Sequence, residues 1–399
     1  MTFCKAFLLR KNIVQLAAPI SLNVELFYDD KVLSWSKRIL GLSGLWPDNR
    51  NDVRFFFYIT HVVMFIWLEI VTLVQNIHDL EKTMKNMTQT FPCTLVVLKA
   101  VMFRLTMHLI LPLLAVVKKD VAQGLYRTEE EKRTVVWYNV AATLFTSSSA
   151  FSLLLASMLF YSKPIVSCLL SSKFDLNHLY EVTDVHTYIL FCVYLSPINM
   201  LLTIGATGAD SLLVTLTFYL CSQLSIVINL PYKVTLYKII RAMLFIVNCR
   251  LANILADAFS SLMFIQTLGL IFSLCIVAYQ LLTIDESADD VNTIHFIIYS
   301  CAVVLLAFCY CFLGECLISE SSEMQLACYF SNWYDLPGEY TRSLIFCIAR
   351  SQKPLYLTAG KFYVFSLETF GTVSSAITTS ISTVEFLHYP YICSTIVPS

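Results

Sequence analysis

GTVSSAITTSISTVEFL runs from Gly371 to Leu387. It follows an apolar run and reads as part of a membrane-spanning helix. Yet eight of its 17 residues are Ser or Thr, and Glu385 is charged. On a helix turning about 100° per residue, Glu368, Thr372, Ser375, Thr379, Ser382 and Thr383 fall on one side. Phe370, Val373, Ile377, Ile381, Val384 and Leu387 lie largely opposite. One hydroxyl in such a helix bonds its own i−4 carbonyl at little cost, or links two helices for about 0.6 kcal/mol. A polar stripe of six positions suits a helix with one wet side, because polar groups at membrane depth belong where they line a water-filled cavity.

The rest of the chain agrees with a membrane setting. Of 399 residues, 57% are hydrophobic and 14% charged, and the mean hydropathy is +0.68. A soluble domain sits near about 45–50% apolar and about 25% charged. The net charge of −1 offers no basic field for nucleic acid. A spanning helix needs about 20 mostly apolar residues. Seven candidates meet this: 55–77, 91–117, 134–160, 186–209, 261–283, 292–315 and 361–387.

Lys and Arg sort the connecting segments into two sets. Segments 1–54, 118–133, 229–260 and 316–361 hold 21 of them; 78–90, 161–185, 284–291 and 388–399 hold four. The asymmetry predicts a cytosolic N-terminus and an extracellular C-terminus, opposite to a G-protein-coupled receptor. The one Asn-x-Ser/Thr sequon, Asn86-Met87-Thr88, falls in the first outer loop, where a glycan acceptor must lie. The N-terminal residues lack the apolar core of a signal peptide, so the first span is expected to direct membrane insertion.

The fourth span runs on through SLLVTLTFYLCSQLSIVINL toward Pro231. From 186 to 230 a helix would measure about 68 Å, against about 30 Å for the bilayer core. The excess is expected to project into the cytosol, with a break near Gly205 or Gly208. Helices five and six extend similarly. Leu213, Leu216, Leu220 and Leu224 need apolar partners there, within one subunit or between subunits. The expected fold is thus an all-α membrane protein of seven transmembrane helices with a cytosolic anchor bundle. Its parts are a cytosolic segment 1–54 and helices one to six over 55–315, with cytosolic extensions near 210–260. An anchor segment 316–360, a last helix 361–387 and an outer tail 388–399 follow.

Chemistry-bearing motifs are few. HExxH, G-x-S-x-G and P-loop patterns are missing, the His residues do not cluster, and an enzyme is not expected. Cys309, Cys311 and Cys316 lack paired zinc-ligand spacing, so neither a metal nor another cofactor is expected. No internal repeat marks an inverted-repeat transporter. Lys99 and Arg104 lie inside the second span, at about 2.5–3.5 kcal/mol each on insertion scales. Rise counting puts Glu69 near the depth of Lys99. A Glu69–Lys99 pair is expected, with ligand sensing by Lys99 as the alternative.

From 310 to 370 the sequence becomes distinctive: Tyr310, Gly314-Glu315, Trp333-Tyr334, Arg350-Ser351-Gln352-Lys353-Pro354-Leu355, Thr358-Ala359-Gly360-Lys361-Phe362 and Ser366-Leu367-Glu368-Thr369-Phe370. This resembles the C-terminal signature of insect odorant receptors. ILGLSGLWP (39–47), GADSLL (208–213) and ADAFSSLMFIQ (256–266) resemble the family's N-terminal segment, fourth-helix end and fifth-helix start. Where family members often carry a Tyr/Phe pattern late in the last helix, this chain reads Thr379-Ser380-Ile381-Ser382-Thr383-Val384.

The resemblance implies a tuning subunit of a ligand-gated, nonselective cation channel: a heterotetramer with a shared co-receptor, embedded in membrane lipids. Its place would be the plasma membrane of olfactory sensory neurons. Each last helix would line a central pore, here through Thr372, Ser375, Thr379, Thr383 and Leu387, with Thr383 and Leu387 at the constriction. An apolar ring there gates by dewetting. A small volatile ligand would bind in the outer half, among Val96, Val97 and Ala100 on helix two and Ser148, Phe151 and Leu155 on helix three. Phe191, Tyr194 and Leu195 on helix four and Ile294, Ile297 and Ile298 on helix six would complete the pocket. Apolar burial at roughly 25 cal/mol per Å² gives such a site micromolar strength and loose selectivity. A gustatory-type channel and a membrane transporter are the alternatives.

Overall fold

The computed structural model describes residues 33–48, 50–122, 128–171, 185–229, 235–282, 290–330, 333–335 and 337–375. The chain enters through a short helix α1 (Ser34–Leu42). Six long helices follow: α2 (Asp52–Gln75), α3 (Leu80–Ala122), α4 (Glu129–Ser171), α5 (Val185–Asn229), α6 (Thr235–Leu282) and α7 (Asp290–Tyr329). A 3-10 turn (Trp333–Asp335) leads to α8 (Gly338–Ser351). Strands β1 (Thr358–Ala359) and β2 (Tyr363–Val364) pair antiparallel, and a last helix α9 begins at 367 and is described to 375.

Local chemistry starts these helices. The Asn51 side chain accepts the Arg54 amide at 3.1 Å and caps α2. Thr128 and Glu131 exchange bonds of 3.2 and 3.3 Å, a capping box at the head of α4. Pro92 and Pro112 lie inside α3 without ending it, as prolines in membrane helices do when neighbouring helices satisfy the freed carbonyls.

Helices of 43 to 48 residues (α3 to α6) measure about 65–72 Å, over twice the bilayer core. Among the described residues, five stretches are long and apolar enough to cross a membrane. They are Asp52–Gln75, Lys82–Asp120, Met200–Asn229, Ala242–Gln280 and Phe296–Tyr329. The third of these is mostly buried inside the protein, so α5 is the axis around which the others pack.

Two expectations change here. No break occurs near Gly205 or Gly208; α5 runs through both. These glycines instead permit close approach. A Cβ on Gly205 would meet the Tyr58 hydroxyl at 1.7 Å, and one on Gly208 would meet Leu40 at 2.9 Å. The last helix also starts later than 361. Residues 357–365 close a small hairpin, with Leu357 O accepting the Phe365 amide at 3.0 Å. The partner question for Leu213, Leu216, Leu220 and Leu224 has an answer within the chain. All four are buried within one subunit, in a core shared with Phe245, Leu255, Leu317 and Met324.

Candidate functional site

Lys99 occupies the centre of a buried node. Its ammonium donates to Asp210 Oδ2 at 2.6 Å, Gln266 Oε1 at 3.0 Å and the Ala206 carbonyl at 3.3 Å. The Lys99 side chain is 5% exposed and that of Asp210 18%. Three helices, α3, α5 and α6, thus meet on one cation. Tyr310 of α7 is fully buried, and its hydroxyl lies beside Asp210 without reaching hydrogen-bond geometry. An ammonium has three donors, and all three are engaged. No donor remains for a ligand, which removes the geometric basis for sensing by Lys99.

The expected Glu69–Lys99 pair does not form. Glu69 is buried on α2, but its partner is Asn86 of α3, whose amide lies 3.3 Å from the Glu69 carbonyl. With that amide turned over, its nitrogen reaches Glu69 Oε2 at 2.9 Å. Depth counting fails on register: Asp52 pairs with Arg104 and Glu69 lies beside Asn86, so α2 and α3 run antiparallel with Glu69 about 20 Å along α3 from Lys99. Asn86, the sequon residue, is half-buried inside α3 with its amide in this contact, and a glycan there would displace it. Arg104 sits over the Phe55 ring at 4.1 Å and pairs with Asp52, near the head of α2.

The second feature is the root of the last helix. A Cβ on Gly314 would lie 2.1 Å from the Phe365 carbonyl, so α7 touches the chain here backbone to backbone. The next residue, Glu315, accepts the Leu367 amide at 3.2 Å. Ser366 and Thr369 exchange amide-to-hydroxyl bonds of 3.1 and 3.2 Å. The free amides of the first turn of α9 are thus met by two hydroxyls and a carboxylate, the sign a helix N-terminus favours. The hairpin before it turns through Gly360 (φ 58°) and Lys361 (φ 66°), a left-handed stretch that glycine enters freely. The Gly360 amide donates to the Ser260 carbonyl at 3.1 Å and pins the turn to α6. Ser366→Ala should cost about 1 kcal/mol through the lost cap, read as a lowered Tm of the purified protein.

From this root α9 presents two unlike faces. Phe365 is buried, and Phe370 stacks edge-on against Phe308 of α7 at 5.5 Å between centroids. Glu368, Thr372 and Ser375 are exposed, and the two hydroxyls bond the carbonyls of Glu368 and Gly371 at 3.0 and 2.8 Å. Thr379, Thr383 and Leu387 lie outside the described residues.

The expected pocket residues are only partly brought together. Val96 and Val97 are half-buried against the core, and Ala100 is buried. Ser148, Phe151 and Leu155 are exposed, Phe151 at 67%, so this part of α4 shows an open face. Ile297 is also exposed, and Ile298 half-buried. The side chains of Phe191, Tyr194, Leu195 and Ile294 lie outside the described set. Sequence reading missed Gln266 and gave Asp210 no role. The signal was an aspartate inside an apolar run, which demands a cation at its own depth.

A family model for the 7tm odorant receptor matches residues 234–377. The chain is 33% identical to odorant receptor 2a of Drosophila melanogaster over 99 residues, 25% of either chain. To the odorant receptor coreceptor of Anopheles gambiae it is 29% identical over 130 residues, 33% of this chain and 27% of that one. The match thus spans about a quarter of the length of these two relatives. With Drosophila odorant receptor 9a the similarity is fainter, 22%, but covers 84% of this chain and 90% of the relative. In fold, it is similar to olfactory receptor OR5 of Machilis hrabei, with a TM-score of 0.71 over 89% of this chain and 98% of that one, at 15% identity. The matched region holds the root of α9, where Gly314, Glu315, Ser366 and Thr369 each have a physical task. This all-α, multi-pass membrane protein matches the 7tm odorant receptor family over residues 234–377 and shares the fold of an insect olfactory receptor over most of its length.

Proposed function

We propose that this chain is the tuning subunit of a heteromeric, ligand-gated, nonselective cation channel in olfactory neurons, opened by small volatile apolar molecules. The observation that carries the reading is the two-faced α9. Its aromatic face is held by its own subunit, while Glu368, Thr372 and Ser375 point away from it. Several such helices around an axis make a hydroxyl-lined aqueous path. The hydroxyl stripe continues in sequence through Thr379 and Thr383 toward Leu387, the residues proposed for the constriction. Similarity to odorant receptor coreceptors supports a coreceptor subunit as partner. The OR5 structure of Machilis hrabei was solved with eugenol, which supports a small volatile as the ligand. Val96, Val97 and Ala100 are the pocket residues this reading favours, on the helix that also carries Lys99. Opening then follows if the ligand binds the open arrangement more tightly than the closed one.

Single cysteines at Thr372 and Ser375, co-expressed with a coreceptor, test this. Water-borne thiol reagents should block odorant-evoked current in both variants. The native Cys347 is a poor competitor, since burial pushes its thiol up to about 11 and the thiolate is the reactive form. Current untouched by the reagent, or solute uptake without odorant-evoked current, would reject the channel reading.

A further inference from the structure

Residues 34–48 and 50–54 pack against the bundle yet show the outside a mixed cationic and apolar face. On the inner side, Ser36 meets Thr215 of α5 at 3.2 Å and Leu40 packs on Gly208. Leu45 and Trp46 are buried after the left-handed Gly44 (φ 70°). On the outer side, Trp35, Arg38 and Leu42 follow one another at helical spacing of three and four, and all are exposed, Leu42 at 63%. The start of α2 adds exposed Val53, Phe56 and Phe57.

The cations here outnumber the carboxylates. Asp52 is shared by Arg50 and Arg104, and Asp48 is taken by Lys118. Among the described residues no carboxylate pairs with Lys37, Arg38 or Arg54, all exposed. Among the described residues the Arg54 side chain makes one long bond, 3.5 Å, to the Gly41 carbonyl. Exposed Trp and Leu beside unpaired Lys and Arg, at the point where a spanning helix begins, have the composition of a surface lying at the headgroup level of a bilayer.

We infer that the outer face of 34–54 docks anionic phospholipid headgroups, with Trp35 and Leu42 in the headgroup–acyl boundary and Lys37, Arg38 and Arg54 on the phosphates and carboxylates. An unpaired cation near an anionic leaflet gains attraction that a zwitterionic lipid does not supply. The Lys and Arg count over the connecting segments assigns this face to the cytosolic leaflet, the anionic one.

Native mass spectrometry of the purified full-length receptor tests the inference, with equal amounts of phosphatidylcholine and phosphatidylserine offered in detergent. Phosphatidylserine should be retained over phosphatidylcholine by roughly tenfold. In K37Q/R38Q/R54Q the preference should fall to about parity, and K37Q/R38Q, which touches no side-chain bond among the described residues, should fall between. Equal retention by the wild type overturns the inference, as does a preference surviving in both variants. So does competition by inorganic phosphate beyond that of sodium chloride at equal ionic strength, which would mark a free-anion site instead.

Discussion

Lys99→Met should lower the stability of the protein by about 3 kcal/mol, near the low end for breaking a buried ion pair. The substitution keeps the volume and apolar stem of the side chain but strands the Asp210 carboxylate, which now accepts 2.6 Å from the ammonium. Asp210 retains some exposure, which is why the low end applies. The same change leaves Gln266 Oε1 and the Ala206 carbonyl without their donor. The readout is the midpoint of thermal unfolding in detergent, with surface expression alongside. K99M/D210N should recover most of the loss, because removing both charges removes the penalty of the stranded one. Exchanging charges between 99 and 210 should rescue partly; exchanging them between 69 and 99 should not rescue at all. A K99M receptor as stable as wild type would show that the node has no part in holding α3, α5 and α6 together.

Gly314→Ala should be the most damaging glycine-to-alanine change among the described residues. The new Cβ falls 2.1 Å from the Phe365 carbonyl, and no side-chain rotation relieves a clash with backbone. Either α7 or the hairpin must move, and the Glu315–Leu367 and Ser366–Thr369 bonds that root α9 move with it. Overpacking of this kind costs about 1–3 kcal/mol. Since the strained element aims the proposed pore helix, odorant-evoked current per surface receptor should fall by more than expression does. Gly371→Ala, one turn beyond the root, is the control. A Cβ there meets nothing within 4 Å, and a helical Gly-to-Ala change gains up to about 1 kcal/mol. Equal behaviour of the two variants would show that the contact at 314 is not what sets the position of α9.

Much of the fold was readable because the membrane limits the alternatives. Every backbone group in hydrocarbon must be satisfied, so apolar runs of about 20 residues become helices. The stretches carrying α2 to α7 were found this way, though the long helices run past the expected spans, by 26 residues at the start of α6, 235 against 261. The polar side of the last helix was equally legible, and Glu368, Thr372 and Ser375 are exposed on α9; the Ser366–Thr369 exchange that caps it went unread, since the helix was expected to start at 361.

Relations between distant helices were not legible. Lys99 and Asp210 are 111 positions apart, and no periodicity says which of several helices a buried lysine faces. Gly205 and Gly208 looked like weak points of a long helix, and became the places where Tyr58 and Leu40 press closest. The amino-acid sequence alone determined that this chain is helical and lives in a bilayer, and that its last helix has one polar side. Tertiary packing alone decided which charges neutralise one another, and what holds that helix at its root. The first set depends on solvent and on neighbours within a turn or two; the second depends on azimuth and close approach, which exist only once the helices are assembled.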